Sequence, residues 1–223
     1  NLWRSINQSY FGRFTSSQLA WQAKSILSVK GDADVISLRQ NFDSLIEIFI
    51  KVKNVEGLFL KLVQVFDSLG VEIIDADIAT TKDKKIALNT FIASYKYKSM
   101  KLTQRDIKDL TTKIHAIFDG SKEIKVMNYS ENKNSHFKNP TKISDSIDQQ
   151  NIRNIVTIET INCSGLLVKI AEIYKNHGAS IHSAKITTLG EKVEDTFFIE
   201  DQETNLISKT KMQRIKKALV EII

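Results

Sequence analysis

Cysteine occurs once in the 223 residues, at Cys163, so no intramolecular disulfide can form. A lone thiol fits a reducing, cytoplasmic compartment. Proline also occurs once, at Pro140, and would confine any strand that contains it to a sheet edge. No run of about 18 apolar residues exists, so no membrane span is expected. Arginine is scarce: six of the 32 basic residues, at 4, 13, 39, 105, 153 and 214. Readers of nucleic acid favour Arg for bidentate contacts. The Lys residues are scattered among Asp and Glu, so the net charge of +6 reads as a solvated basic surface and no nucleic-acid partner is expected. The opening "NLWRSINQSYFGRF" lacks the basic start and apolar stretch of a signal peptide. It reads as the middle of a longer protein. There is no P-loop and no G-x-G-x-x-G.

What is present is a repeat. "NVEGLF" (54–59) and "NCSGLL" (162–167) share Asn, two variable residues, Gly and Leu. Setting Gly57 on Gly165 fixes an offset of 108. The stretches "GLFLKLVQVFDSLGVEIIDADIAT" and "GLLVKIAEIYKNHGASIHSAKITT" then agree at 8 of 24 positions, and most other pairs are conservative. Further on, "NTFI" (89–92) meets "DTFF" (195–198) at an offset of 106. A register kept through helix, turn and strand fixes the architecture before anything else does.

Each copy reads as strand, helix, strand, strand, helix. In "LIEIFIKV" (45–52), Ile46, Ile48, Ile50 and Val52 alternate as in a strand. Leu58, Leu62, Val65 or Phe66, and Leu69 recur at helical spacing, and Gly70 stands at a helix stop. "VEIIDADIAT" and "KIALNTFIAS" form a hairpin across "TKDKK". A second helix spans 103–118, with Thr103 as its cap. The second copy has a strand at 155–161, a helix at 165–177, strands at 179–189 and 192–200, and a last helix at about 208–222. A fourth strand for the first copy could be "HFKNPTKIS" (136–144). No residues remain for a fourth strand in the second, whose sheet should stay three-stranded or borrow one. Residues 1–30 stand apart, with a short helix in "TSSQLAWQAKSIL" capped by Thr15 or Ser16. The fold class is α+β: two tandem ferredoxin-like βαββαβ units behind a short helical N-terminal segment.

A βαββαβ unit with Gly at its first strand–helix turn resembles the ACT domain, a small-molecule sensor usually specific for amino acids. "SYFGRFTSSQLAWQAKSIL", "EIFIKV", "ADIATTKDKKIALNTFI", "HFKNPTKI" and "IHSAKITTLGEKVEDTFFIED" narrow it. They stand in the order seen at the C-terminal end of the bacterial PII uridylyltransferase/uridylyl-removing enzymes. The resemblance implies a helical linker from an upstream catalytic region at 1–40, an ACT domain at 41–127, a linker able to carry the last strand of that domain at 128–151, and a second ACT domain at 152–223. It implies glutamine sensing in nitrogen regulation, and partners in the upstream catalytic domains, the PII signal protein and a second copy paired through the ACT sheets. It also implies Mg²⁺ for a nucleotidyltransferase and a phosphohydrolase that this chain lacks. The chain departs from the family at the turns, where Asn54-Val55-Glu56 and Asn162-Cys163-Ser164 replace Asp-Arg-Pro, and at Asn89-Thr90-Phe91, which replaces Asp-Thr-Phe.

The catalytic signatures of such an enzyme are missing. Asp32-Ala33-Asp34 and Asp75-Ala76-Asp77 have Asp-x-Asp spacing, but neither follows a Gly-Ser turn. The four His precede Ala116, Phe137, Gly178 and Ser183, so no His-Asp metal pair exists. The chain alone is expected to be non-catalytic, with no cofactor or metal of its own. Binding remains. A helix start offers backbone N–H groups and the positive end of a dipole to a carboxylate, and Gly lets a ligand approach the backbone. The candidate ligand residues are Asn54, Val55, Glu56, Gly57 and Leu58 in one turn, Asn162, Cys163, Ser164, Gly165 and Leu166 in the other, and His182 on the second strand of copy two. Each Asn could contact ligand or merely cap its helix. Cys163 could gain thiolate character at a helix N-terminus or serve as a small apolar filler. His182 could bind ligand or pack. A module whose sensing is lost, kept for structure or oligomerisation, is the alternative.

Overall fold

A computed structural model describes residues 2–31, 33–40, 45–95, 103–121, 141–149, 152–163, 165–201 and 203–223. After a 3-10 turn, Leu2–Ser5, the elements run α1 Gln8–Phe11, α2 Ser16–Leu27, β1 Val35–Gln40, β2 Ile46–Lys53, α3 Leu58–Ser68, β3 Val71–Thr80, β4 Ile86–Tyr95 and α4 Gln104–Phe118. They continue with β5 Lys142–Asp148, β6 Arg153–Ile161, α5 Leu166–Asn176, β7 Ala179–Leu189, β8 Lys192–Asp201 and α6 Lys209–Ile222. Contacts divide the chain into two units. Asn1–Val55 and Leu69–Glu123 form the first, Glu56–Ser68 and Ile124–Ile223 the second. Among the described residues, no helix is long and apolar enough to cross a membrane.

The first unit holds an antiparallel sheet in the order β1-β2-β4-β3. The sequence predicts an alternating strand for β2, yet Ile46 through Val52 are all buried, including Glu47, Phe49 and Lys51. Residues 1–30 explain this, because they do not stand apart. Ile6 and Tyr10 share a core with Val35, Phe49 and Leu88, and Trp3, Phe11, Phe14, Leu19 and Trp21 close around it. Covering that face removes a large aromatic surface from water.

Polar groups join the cover to the sheet. The Tyr10 hydroxyl donates to Gln22 Oε1 (2.9 Å), and Gln22 Nε2 donates to Thr90 Oγ1 on β4 (3.1 Å). Arg13 pairs with Asp77 at 2.6 Å, and Arg39 with Glu47 at 2.5 Å. The Lys51 ammonium donates to the Ala33 carbonyl at 2.8 Å. Gln22 is fully buried, and Gln22→Ala takes one hydrogen bond from the Tyr10 hydroxyl and one from Thr90, so it should cost about 2–3 kcal/mol. A shift of the urea midpoint followed by Trp21 fluorescence checks this, and an unchanged midpoint refutes it.

Helices begin where the sequence placed their caps. Thr15, rather than Ser16, closes a capping box with Gln18 on α2. Thr103 does the same with Asp106 on α4, whose buried stripe is Ile107, Leu110, Ile114 and Ile117.

The second unit repeats the sheet in the order β7-β8-β6-β5. The sheet of the second copy borrows its fourth strand, as one of the two expected alternatives has it: β5, from the linker, pairs with β6 from Lys142↔Glu159 to Asp148↔Arg153. The fourth strand of the first copy needs correction. β5 takes in 142–144, the end of the segment assigned as the fourth strand of the first copy, while 136–140 lie outside the described residues. The fourth strand of the first copy is β1, inside the stretch read as a helical linker. In both copies the extra strand comes from the N-terminal side. Alternation could not reveal β5, since "KISDSID" is exposed along nearly its whole length, and such polarity suits an edge.

The core of this unit centres on Phe197. Its ring meets those of Tyr174 on α5 at 5.3 Å and Phe59 on α3 at 6.2 Å, both edge-on. Val156, Ile158, Ile170, Ile186, Ile199, Ile215 and Leu219 are buried in the same unit.

Candidate functional site

The two Asn-x-x-Gly turns are built alike. Gly57 and Gly165 take left-handed φ values of 71° and 75°, which side chains other than Gly adopt only with strain. Each Gly carbonyl accepts the first helical bond, from Lys61 N (3.0 Å) and Lys169 N (2.9 Å). Gly is therefore the cap position, and each Asn stands three residues before it, so neither Asn is the helix cap. Instead each ties its turn to a hairpin. Asn54 N donates to the Lys85 carbonyl at 2.8 Å, and Asn162 N to the Glu191 carbonyl at 2.7 Å. Lys85 and Glu191 are equivalent at the offset of 106.

The Asn54 side chain has a further task. Its amide donates to the Lys84 carbonyl at 2.8 Å, and Lys84 holds a left-handed φ of 57°. The equivalent residue in the second hairpin is Gly190, with φ 65°. The first copy thus holds a lysine where the second has the residue suited to the bend. Lys84→Gly should raise stability by about 1 kcal/mol, read as a higher thermal midpoint. A lower midpoint would contradict this account of the hairpin.

The other candidates are dispersed. Leu58 and Leu166 are buried at the starts of α3 and α5, whereas Val55 and Glu56 are exposed. Ser164 lies outside the described residues. Cys163 is exposed, so it is no apolar filler. Its thiol is pushed above its ordinary value by local desolvation, against a weaker opposing pull from Lys169, so no thiolate is favoured. His182 is the extra residue of a β-bulge between Ile181 and Ser183. The first copy has its bulge at the equivalent place, between Ile73 and Asp75. His182 Nδ1 lies 3.8 Å from Glu200 Oε1, which accepts from Arg153 Nε at 2.5 Å. Ile161 pairs with Lys192 beside the Asn162 turn, and Arg153 sits at the far end of the same strand. His182 is thus about 25 Å along the sheet from that turn, and the two do not form one site.

Two features escaped the sequence reading. The first is Lys175. A methyl group built on Gly57 would lie 3.6 Å from Lys175 Cδ and Cε and 3.8 Å from its Nζ. The ammonium therefore stands at the start of α3, although 118 residues separate the pair in sequence. Only the helical repeat, which puts Lys175 in the last turn of α5, could have hinted at it. The second is Asp195, wholly buried on β8. Desolvation raises its carboxyl to about 7, opposed by the Thr187 N–H that donates to it at 3.3 Å. Among the described residues no group of three or more His, Cys, Asp or Glu side chains could hold a metal.

Comparison with known proteins agrees with this architecture. Residues 37–119 match the family model "Plant bHLH transcription factor, ACT-like domain". Proteins named bifunctional uridylyltransferase/uridylyl-removing enzyme match the chain nearly end to end. The one from Psychrobacter sp. (strain PRwf-1) is 26% identical over 100% of this chain and 26% of its own length. That of Vibrio campbellii is 26% identical over 99% of this chain and 25% of its own length. That of Acinetobacter baylyi is 28% identical over 91% and 23%. The chain spans about a quarter of the length of these relatives. Over nearly its whole length, then, the chain is similar to proteins named bifunctional uridylyltransferase/uridylyl-removing enzyme, and its residues 37–119 are similar to an ACT-like domain.

Proposed function

We propose that this chain is the amino-acid-sensing region of a bifunctional uridylyltransferase/uridylyl-removing enzyme, with glutamine as its ligand in nitrogen regulation. The observation that carries the reading is the duplicated turn: a left-handed Gly at a helix start, tied by the same backbone bond to the same hairpin in both copies. Such a turn presents main-chain N–H groups to a carboxylate. Lys175 adds a cation at the first of them. Stiffening that turn would act on the hairpin through Lys84 and Lys85, and β4 carries the effect to Thr90, Gln22 and Tyr10. The N-terminal helices would thereby sense occupancy and pass it to catalytic domains that need Mg²⁺ and act on the PII protein.

Isothermal titration with glutamine and a panel of other amino acids tests the proposal. Binding is expected at up to millimolar ligand, weakened about tenfold by Lys175→Met, the loss of one charge-assisted hydrogen bond. The Gly165→Val variant should lose the second site while circular dichroism shows the fold kept. No heat and no thermal shift with any amino acid would overturn the sensing claim. That result would favour a structural module, a reading supported by the Asn54 amide already being committed to the Lys84 carbonyl.

A further inference from the structure

Three buried side-chain atoms lack a hydrogen-bond partner among the described residues: Asn89 Oδ1, Tyr174 Oη and Asp195 Oδ2. Their positions are not scattered. Asn89 and Asp195 are equivalent at the offset of 106, and Tyr174 is equivalent to Phe66 at the offset of 108. At these positions the first copy carries an amide and a phenyl ring, and the second a carboxyl and a phenol.

In the second unit the two orphan oxygens belong to one core. Asp195 and Phe197 are both fully buried on β8, and strand periodicity puts them on one face about 7 Å apart. The Tyr174 ring stands edge-on to Phe197. The Asp195 charge reaches the phenol, and helps to raise its ionisation along with burial, the larger cause. Yet the two oxygens are not bonded to each other. A buried polar atom without a partner is destabilising, and this core contains two in mutual electrostatic reach. Polar groups so placed are normally joined by an internal water with two to four partners.

We propose that Asp195 Oδ2 and Tyr174 Oη hold one internal water molecule in the core of the second unit. Asp195 keeps its proton there and donates it to the water, while Oδ1 accepts from the Thr187 N–H. The water in turn bonds to the phenol. Burial favours the neutral acid, which suits a water rather than a cation. The first copy has Phe66 where the second has Tyr174, so it has no phenol to complete such a site.

A high-resolution crystal structure of the chain tests this. One peak is expected within hydrogen-bond reach of both oxygens, and it should be absent in the Tyr174→Phe, Asp195→Leu double variant, which leaves the water no polar side chain. A direct bond between phenol and carboxyl, with no peak, would overturn the proposal. So would a thermal midpoint that rises in potassium or ammonium salts over N-methylglucamine, since that marks a cation. Thermal unfolding of the single and double variants gives a second reading. Tyr174→Phe should lower the midpoint by several degrees alone, and by less than half as much on top of Asp195→Leu. Additive shifts would refute the shared water.

Discussion

Phe197→Ala is expected to destabilise the second unit by about 3–5 kcal/mol. The ring is fully buried and has an aromatic neighbour on each of two helices, Tyr174 on α5 and Phe59 on α3. Truncation removes the ring's transfer energy and leaves a cavity that two packed helices cannot close. The neighbouring Phe198 points to the opposite face and is only half-buried, so Phe198→Ala should cost much less. Urea denaturation followed by circular dichroism compares the two. Equal losses would mean that Phe197 is not the centre of this core.

The second large effect is a gain. Asp195→Asn should stabilise the protein by a few kcal/mol above neutral pH and by almost nothing in acid. Burial raises the folded carboxyl from 3.8 to about 7. The unfolded chain therefore releases its proton first as the pH rises. Between about pH 4 and pH 7 the folded state binds more protons, so stability falls through that window and levels off above it. At about 1.36 kcal/mol per pH unit, the whole effect is roughly 4 kcal/mol at most. An amide keeps the acceptor for the Thr187 N–H and carries no charge to desolvate, and the first copy already holds an amide, Asn89, at the equivalent buried position. Chemical denaturation of both proteins from pH 4 to pH 8 is the measurement. A difference that stays constant with pH would show that desolvation of Asp195 is not its source.

The sequence disclosed features tied to one short stretch and concealed those that depend on what lies across from it. The Gly57 and Gly165 turns and the helix starts at Thr15 and Thr103 follow from local rules of backbone and capping. So the duplicated architecture could be read directly. β1 and β5 could not, because an edge strand needs no alternation when one or both of its faces meet water. The burial of Glu47 and Lys51 depends on the N-terminal cover, which no period within β2 encodes. Of the candidate site, the turns were legible, but the hairpin tie of each Asn was not, since Lys85 and Glu191 lie about thirty residues downstream of their partners. The displacement of His182 to the far end of its sheet follows from strand register, which the sequence leaves open.

The allocation of α3 has a bearing on how the molecule can be divided. The helix belongs to the first copy of the repeat, yet residues 56–68 group with the second unit. The chain therefore crosses from one unit to the other three times, between residues 55 and 56, 68 and 69, and 123 and 124. No single cut returns two intact halves. A fragment that begins at Thr141 keeps all four strands of its sheet but loses Phe59 from the side of Phe197, and a protease that nicks the chain after Ser121 leaves α3 on the product that lacks the rest of its unit. The duplication visible in the sequence is a record of copying, and the pieces that hold together in space are drawn along different lines.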